Sequence, residues 1–292
     1  MNRIKRVIKT IKENIERPEM GILPGELAFY FLLMMIPILT VSVAILQQFE
    51  LTGSMSQILY DTLPNVIAES IIGISNEKIG TVSFVALLIS ALIISSNGTY
   101  SLITASNAIY KVKSSGILVN RLKSLVMVII LILIFVTLFA LPVYGNYILS
   151  ILEKDNIINL PLSQLFNNLR YPITFVLLYV FIKILYMMAP NVKIGLNKTT
   201  QGALFTTTMW VIVTTLYSLY IDKVFSYETF YGGLSSILCL LIWVSIISYV
   251  FVLGMAINAS YYTVNEEDKN FIEEGLSKTS TVMKKIRRKD NK

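Results

Sequence analysis

Residues 26–49 read ELAFYFLLMMIPILTVSVAILQQF, and after Glu26 none of them carries a charge. A helix rising about 1.5 Å per residue crosses the ~30 Å hydrocarbon core of a bilayer in a stretch of this length. Five comparable runs follow, at about Ile79 to Ser96, Leu122 to Tyr144, Ile173 to Ala189, Gly202 to Ile221 and Leu234 to Tyr261. Because lipid leaves backbone groups no outside partner, the expectation is an all-α polytopic membrane protein with six transmembrane helices. A secretory signal fits the first run poorly, since its apolar core would be only about 7–15 residues long and end in a small-residue cleavage site.

Composition agrees. Of 292 residues, 54% are hydrophobic and 15% charged, with a mean hydropathy of +0.66, where soluble domains carry about 25% charged residues. Histidine is absent, and the single cysteine, Cys239, lies within an apolar run. His-ligated metals, His-based triads and internal disulfides are thereby excluded, so neither a metal nor a cofactor is expected. The formal charge of +7 points to cytoplasmic loops rather than to nucleic acid.

Basic residues set the orientation. Arg3, Lys5, Arg6, Lys9, Lys12 and Arg17 precede the first span, Lys111, Lys113, Arg121 and Lys123 follow the second, Lys193 and Lys198 follow the fourth, and the tail carries the rest of a set of 20 among 25. The other side holds Lys78, Lys154, Arg170 and Lys223. Both termini are therefore expected in the cytoplasm. The chain divides into residues 1–24, a basic segment whose Ile4, Val7, Ile8, Ile11 and Ile15 recur at helical spacing on a membrane surface; residues 25–262, the membrane domain; and residues 263–292, a disordered or surface-bound tail ending in the basic cluster Lys284 to Lys289. Between the first two spans, residues 50–78 are expected to form two short outer helices broken at Pro64.

Charged and polar groups at membrane depth are the candidate functional residues, because each must find water, a partner or a role. Glu26 admits two readings, a carboxylate opposing a helix dipole or a proton or cation site. Lys183 lies about 9 Å of helix from the end of the fourth span, and it either snorkels outward or meets a substrate headgroup. Ser95-Ser96-Asn97-Gly98-Thr99 is read as an interrupted helix presenting polar groups, or as an ordinary helix end capped by Asn97 or Gly98. Asn107 and Tyr110 are placed on an interfacial segment beyond it. Asn258 offers hydrogen bonds to a ligand or a neighbouring helix, and Tyr30 an aromatic wall. Pro37 and Pro142 are expected to kink or end their helices. Thr206, Thr207, Thr208, Thr214 and Thr215 read as packing groups, and Tyr217, Tyr220, Tyr227 and Tyr231, with Trp210 and Trp243, include interfacial-belt positions.

Several motifs in order resemble the YihY/BrkB family of six-span bacterial inner-membrane proteins: Leu27-Ala28-Phe29-Tyr30 through Pro37, Ser95 to Gly98, Asn107 to Tyr110, Gln201 to Leu204, Ser218-Leu219-Tyr220, and Gly254 to Ala259. The resemblance covers about residues 20–262. One departure is that the family's last span commonly carries an acidic residue where this chain has Ala256. The family's historical ribonuclease BN label has no support in these residues, since RNA hydrolysis calls for a His pair or clustered carboxylates.

The expected function is transport of an amphipathic lipid or lipid-linked molecule in envelope biogenesis, with membrane lipids, anionic ones included, as partners and no nucleic acid. Glu26, Tyr30, Asn97, Asn107, Lys183 and Asn258 form the candidate substrate site. No Gly-x-x-x-x-Gly-Lys motif is present to drive the step. The alternative is a non-transporting scaffold for envelope-synthesis proteins; an enzyme is not expected.

Overall fold

The computed structural model describes residues 3–48, 81–154, 162–224 and 234–290. The segment 50–78 with Pro64, and also Tyr227 and Tyr231, lie outside the described residues. The elements are α1 (Arg3–Ile15), α2 (Glu19–Gln48), α3 (Thr81–Tyr110), α4 (Ile117–Lys154), α5 (Leu162–Met188), a 3-10 turn (Leu196–Lys198), α6 (Thr200–Val224) and α7 (Leu234–Asp290). Among the described residues there is no strand. Among the described residues, five helices contain stretches long and apolar enough to cross a membrane, Glu19–Ser42, Ser83–Tyr110, Ile117–Thr137, Thr200–Tyr220 and Ile237–Asp268, and α5 adds the shorter apolar run Pro172–Met188.

These helices pack as a bundle around Leu27, Leu102, Met127, Ile182 and Phe251, all wholly or almost wholly buried. α2 lies against α3, α4 and α7; α6 pairs with α7; α5 bridges α4 and α6. The outward faces carry large apolar side chains such as Phe29, Leu33, Ile93 and Leu133, the arrangement expected where the surrounding solvent is hydrocarbon rather than water. With no hydrophobic force to drive helices together in lipid, close backbone approach takes over. Gly202 and Gly254 supply it between α6 and α7. Tyr217 donates to the Cys239 carbonyl (2.5 Å), Trp210 to the Ile247 carbonyl (2.9 Å), and Trp243 to Thr214 Oγ1 (3.3 Å), so these aromatics fasten α6 to α7. Thr207 and Thr215 instead satisfy carbonyls of their own helix.

The Ser95 to Thr99 segment does not interrupt the second span: α3 runs unbroken to Tyr110, which brings Asn107 onto the same helix as Asn97. Neither Asn97 nor Gly98 caps it. The end is a Schellman arrangement in which Lys111 takes φ 56°, its N–H donating to Ala108 and that of Val112 to Asn107. Small polar residues at 95–99 serve packing: Gly98 sits against Tyr30 and Met34 of α2, and Thr99 donates to the Ser124 carbonyl of α4 at 2.9 Å. Of the two outcomes expected at Pro37 and Pro142, a kink or an end, the end is excluded: α2 continues to Gln48 and α4 past Pro142.

Glu26 does not open its helix. α2 begins at Glu19, which holds the favourable first-turn position, and Glu26 lies two turns further in. α7 extends without a break through 57 residues to Asp290, about 85 Å of helix, so the described part of the tail continues the last span as helix. The first helix docks along it. Val7 and Asn14 are buried there, Asn14 Nδ2 donates to Ser260 Oγ (2.7 Å), and Arg6 pairs with Asp268, while Ile4 and Ile8 stay exposed.

Candidate functional site

Between α2 and α3 a cleft of about 300 Å³ opens on the outer face of the bundle, lined by Glu26, Tyr30, Asn97, Tyr100, Ser101 and Thr104. Helical periodicity builds it. Asn97, Tyr100, Ser101 and Thr104 occupy positions i, i+3, i+4 and i+7 of α3, a single stripe, and Glu26 and Tyr30 are one turn apart on α2. Ser101 Oγ donates to Glu26 Oε1 at 2.8 Å, joining the two walls. Glu26 is nevertheless exposed, and the exposed side chains one turn to either side of it on α2, Ile22 and Phe29, are apolar.

At one end stands Arg121 of α4. Its Nη1 donates to Asn97 Oδ1 (2.9 Å), and its guanidinium carbon lies 5.9 Å from the centroid of the Tyr100 ring. Sequence reading treats Arg121 only as a loop charge and passes over Tyr100, Ser101 and Thr104. Their i, i+3, i+4, i+7 spacing is the signal that finds them, once α3 is taken as continuous through Gly98.

The remaining candidates lie elsewhere. Asn107 belongs to a polar knot joining the ends of α3, α4 and α5: its Oδ1 accepts the Asn191 N–H (2.8 Å), Asn191 Nδ2 donates to Asn120 Oδ1 (2.8 Å), and Lys123 Nζ donates to the Ala189 and Pro190 carbonyls and to Asn191 Oδ1, each at 2.9 Å. Asn258 fastens α7 to the start of α6, accepting the Gly202 N–H (2.8 Å) and donating to the Thr199 carbonyl (3.2 Å). Lys183 contacts Tyr179 one turn away on α5, through the hydroxyl at 3.3 Å and the ring centroid at 5.4 Å. The structure thus joins Glu26, Tyr30 and Asn97 in one cleft and leaves Asn107, Lys183 and Asn258 outside its lining. Ala256 is fully buried, its carbonyl accepting the Ser260 hydroxyl at 2.8 Å.

Comparison with known proteins gives the bundle its relatives. The chain is 30% identical over 247 residues to the putative ribonuclease-like protein YfkH of Bacillus subtilis, covering 80% of this chain and 87% of that one. It is 27% identical over 268 residues to the UPF0761 membrane protein VP0125 of Vibrio parahaemolyticus, covering 86% and 81%, and 23% identical over 266 residues to the UPF0761 membrane protein PBPRA3489 of Photobacterium profundum, covering 86% and 79%. No solved structure matches. The family profile described as Virulence factor BrkB matches residues 13–274. With that match spanning most of a chain built from long apolar helices, the protein belongs to the BrkB family and is a multi-pass bacterial membrane protein.

Proposed function

We propose that this protein carries phospholipid or lipid-linked headgroups between the leaflets of the bacterial inner membrane, along the α2–α3 cleft. It does so as a six-span bundle with both termini in the cytoplasm and without enzymatic turnover. One observation carries the reading: a polar cleft, containing an exposed carboxylate, opens on the side of the bundle between helices whose outward faces carry large apolar side chains such as Ile22, Phe29 and Leu33. An ionisable group facing hydrocarbon is costly unless it serves a ligand or water. The cleft volume of about 300 Å³ lies at the lower bound of small-molecule pockets, roughly 300–1,000 Å³, so it suits a headgroup while acyl chains remain in lipid.

The test is leaflet exchange of acyl-chain-labelled phospholipids in vesicles holding the purified full chain. Exchange faster than in protein-free vesicles, slowed in a Tyr30→Ala/Asn97→Ala/Ser101→Ala variant, is the expected result. Exchange no faster than in protein-free vesicles overturns it. A scaffold for envelope-synthesis proteins is the second reading, favoured by α7, whose helix extends well past its apolar stretch. Truncation of that extension then abolishes function while the triple variant leaves it intact.

A further inference from the structure

Glu26 lines the cleft and Arg121 stands beside it, bonded to the lining residue Asn97, yet these opposite charges do not pair. The carboxylate is held by the neutral Ser101 hydroxyl, and the guanidinium by the Asn97 amide and the Tyr100 ring. Among the described residues no cation lies within ion-pair distance of Glu26 and no carboxylate within that distance of Arg121. Their anchors, Asn97 and Ser101, are successive members of the α3 stripe, one helical turn or about 6 Å apart. Glu26 thus keeps unused bonding capacity in the cleft that Tyr30 and Tyr100 help to line, and Arg121 keeps its own at the cleft's edge, where it meets two lining residues, Asn97 and Tyr100.

We infer that the cleft selects a zwitterionic headgroup bearing a phosphodiester and a primary ammonium, the phosphate meeting Arg121 and the ammonium meeting Glu26. The inference rests on the reading of the cleft as a headgroup site. A guanidinium offers a planar fork of N–H donors that matches phosphate oxygens. A carboxylate accepts the N–H donors that a primary ammonium carries. A trimethylammonium has no N–H to give and is left with the faces of the tyrosine rings. Phosphatidylglycerol offers Arg121 the same phosphate but brings Glu26 only neutral hydroxyl donors, which leave the carboxylate's charge unbalanced. The order of preference is phosphatidylethanolamine, then phosphatidylcholine, then phosphatidylglycerol.

The experiment titrates the detergent-solubilised full chain with an equimolar mixture of these three lipids and reads bound lipid by native mass spectrometry. Wild type retains phosphatidylethanolamine over phosphatidylglycerol. Glu26→Gln keeps the amide-sized group beside Ser101 but removes the charge, and it lowers the ratio about tenfold, the effect of losing one charge-assisted hydrogen bond. Arg121→Gln lowers retention of all three lipids, and Lys183→Ala leaves the ratio as in wild type. The ratio is internal to each sample, so a poorly folded variant loses all lipids together instead of changing it. Equal retention by wild type, or a ratio that Glu26→Gln leaves unchanged, overturns the inference. Soluble glycerophosphoethanolamine in excess separates headgroup from lipid: persistence of bound lipid supports a membrane source, and its displacement overturns that source. Leaflet exchange of the same lipids keeps the two proposals apart. A phosphatidylethanolamine preference in binding without exchange removes transport alone, and exchange with equal retention removes the selectivity alone.

Discussion

Gly202 and Gly254 face each other where α6 crosses α7, so closely that a methyl group on Gly202 would collide with the Gly254 carbonyl oxygen and lie 2.5 Å from Asn258 Cγ. A methyl on Gly254 meets Thr206 Oγ1 and the Tyr186 hydroxyl in turn. Since backbone is among the obstacles, Gly202→Ala and Gly254→Ala are each expected to cost about 1–3 kcal/mol. Gly98→Ala is expected to cost less, because its nearest obstacle, Met34 Sδ at 2.7 Å, is the flexible part of a side chain. Thermal unfolding in detergent checks the order, and a larger loss at Gly98 contradicts it.

Asn258 acts as a helix cap lent by a neighbour. Gly202 lies in the first turn of α6, where N–H groups have no partner within the helix, and Asn258 Oδ1 accepts its proton. Asn258→Ala leaves the Gly202 N–H without its acceptor at a cost of about 1–3 kcal/mol. Asn258→Asp keeps the acceptor but turns the donation to the Thr199 carbonyl into repulsion. Both variants should unfold at lower temperature with the lipid retention ratio unaltered, and a changed ratio would place Asn258 in the headgroup site.

Lys123 performs the matching task at the other end of a helix. Its ammonium meets the Ala189 and Pro190 carbonyls just past α5. Lys123→Met removes those donors and should loosen the last turn of α5. Amide hydrogen exchange across residues 185–194 should accelerate, while α7 keeps its protection.

Lys183→Ala is expected to be close to neutral, within about 0.5 kcal/mol of wild type in stability, because its hydrogen bond and its ring contact among the described residues are both to Tyr179, one turn away on its own helix. Leaflet exchange by this variant should equal that of wild type. Slower exchange would return Lys183 to the pathway.

The apolar spans and the all-helical class are legible in the sequence because hydrocarbon imposes one requirement on every residue of a crossing helix. What propensity alone misreads is Ser95 to Thr99. In water, a serine, asparagine and glycine run weakens a helix; here the same small residues let α3 approach Tyr30 and Met34 and reach Ser124, and packing overrides propensity. That one misreading hides the site, since Tyr100, Ser101 and Thr104 join Asn97 in a stripe only when the helix is continuous. Glu26 and Tyr30 stand out in the sequence by their chemistry, but the partner that completes the charge pattern, Arg121, looks from sequence like any other basic residue near a span's start. The roles of Asn107 and Asn258 depend on what lies opposite them, which spacing along one helix does not reveal.

The balance of one carboxylate against one guanidinium has an energetic consequence for the membrane potential. Moving a net charge across the bilayer field involves about 2.3 kcal/mol for every 100 mV, and a headgroup that satisfies both Glu26 and Arg121 carries no net charge. On the proposed reading, passage along this cleft is electroneutral, and the expected outcome is that polarising the vesicles neither speeds nor slows leaflet exchange, the lipid gradient alone setting its direction.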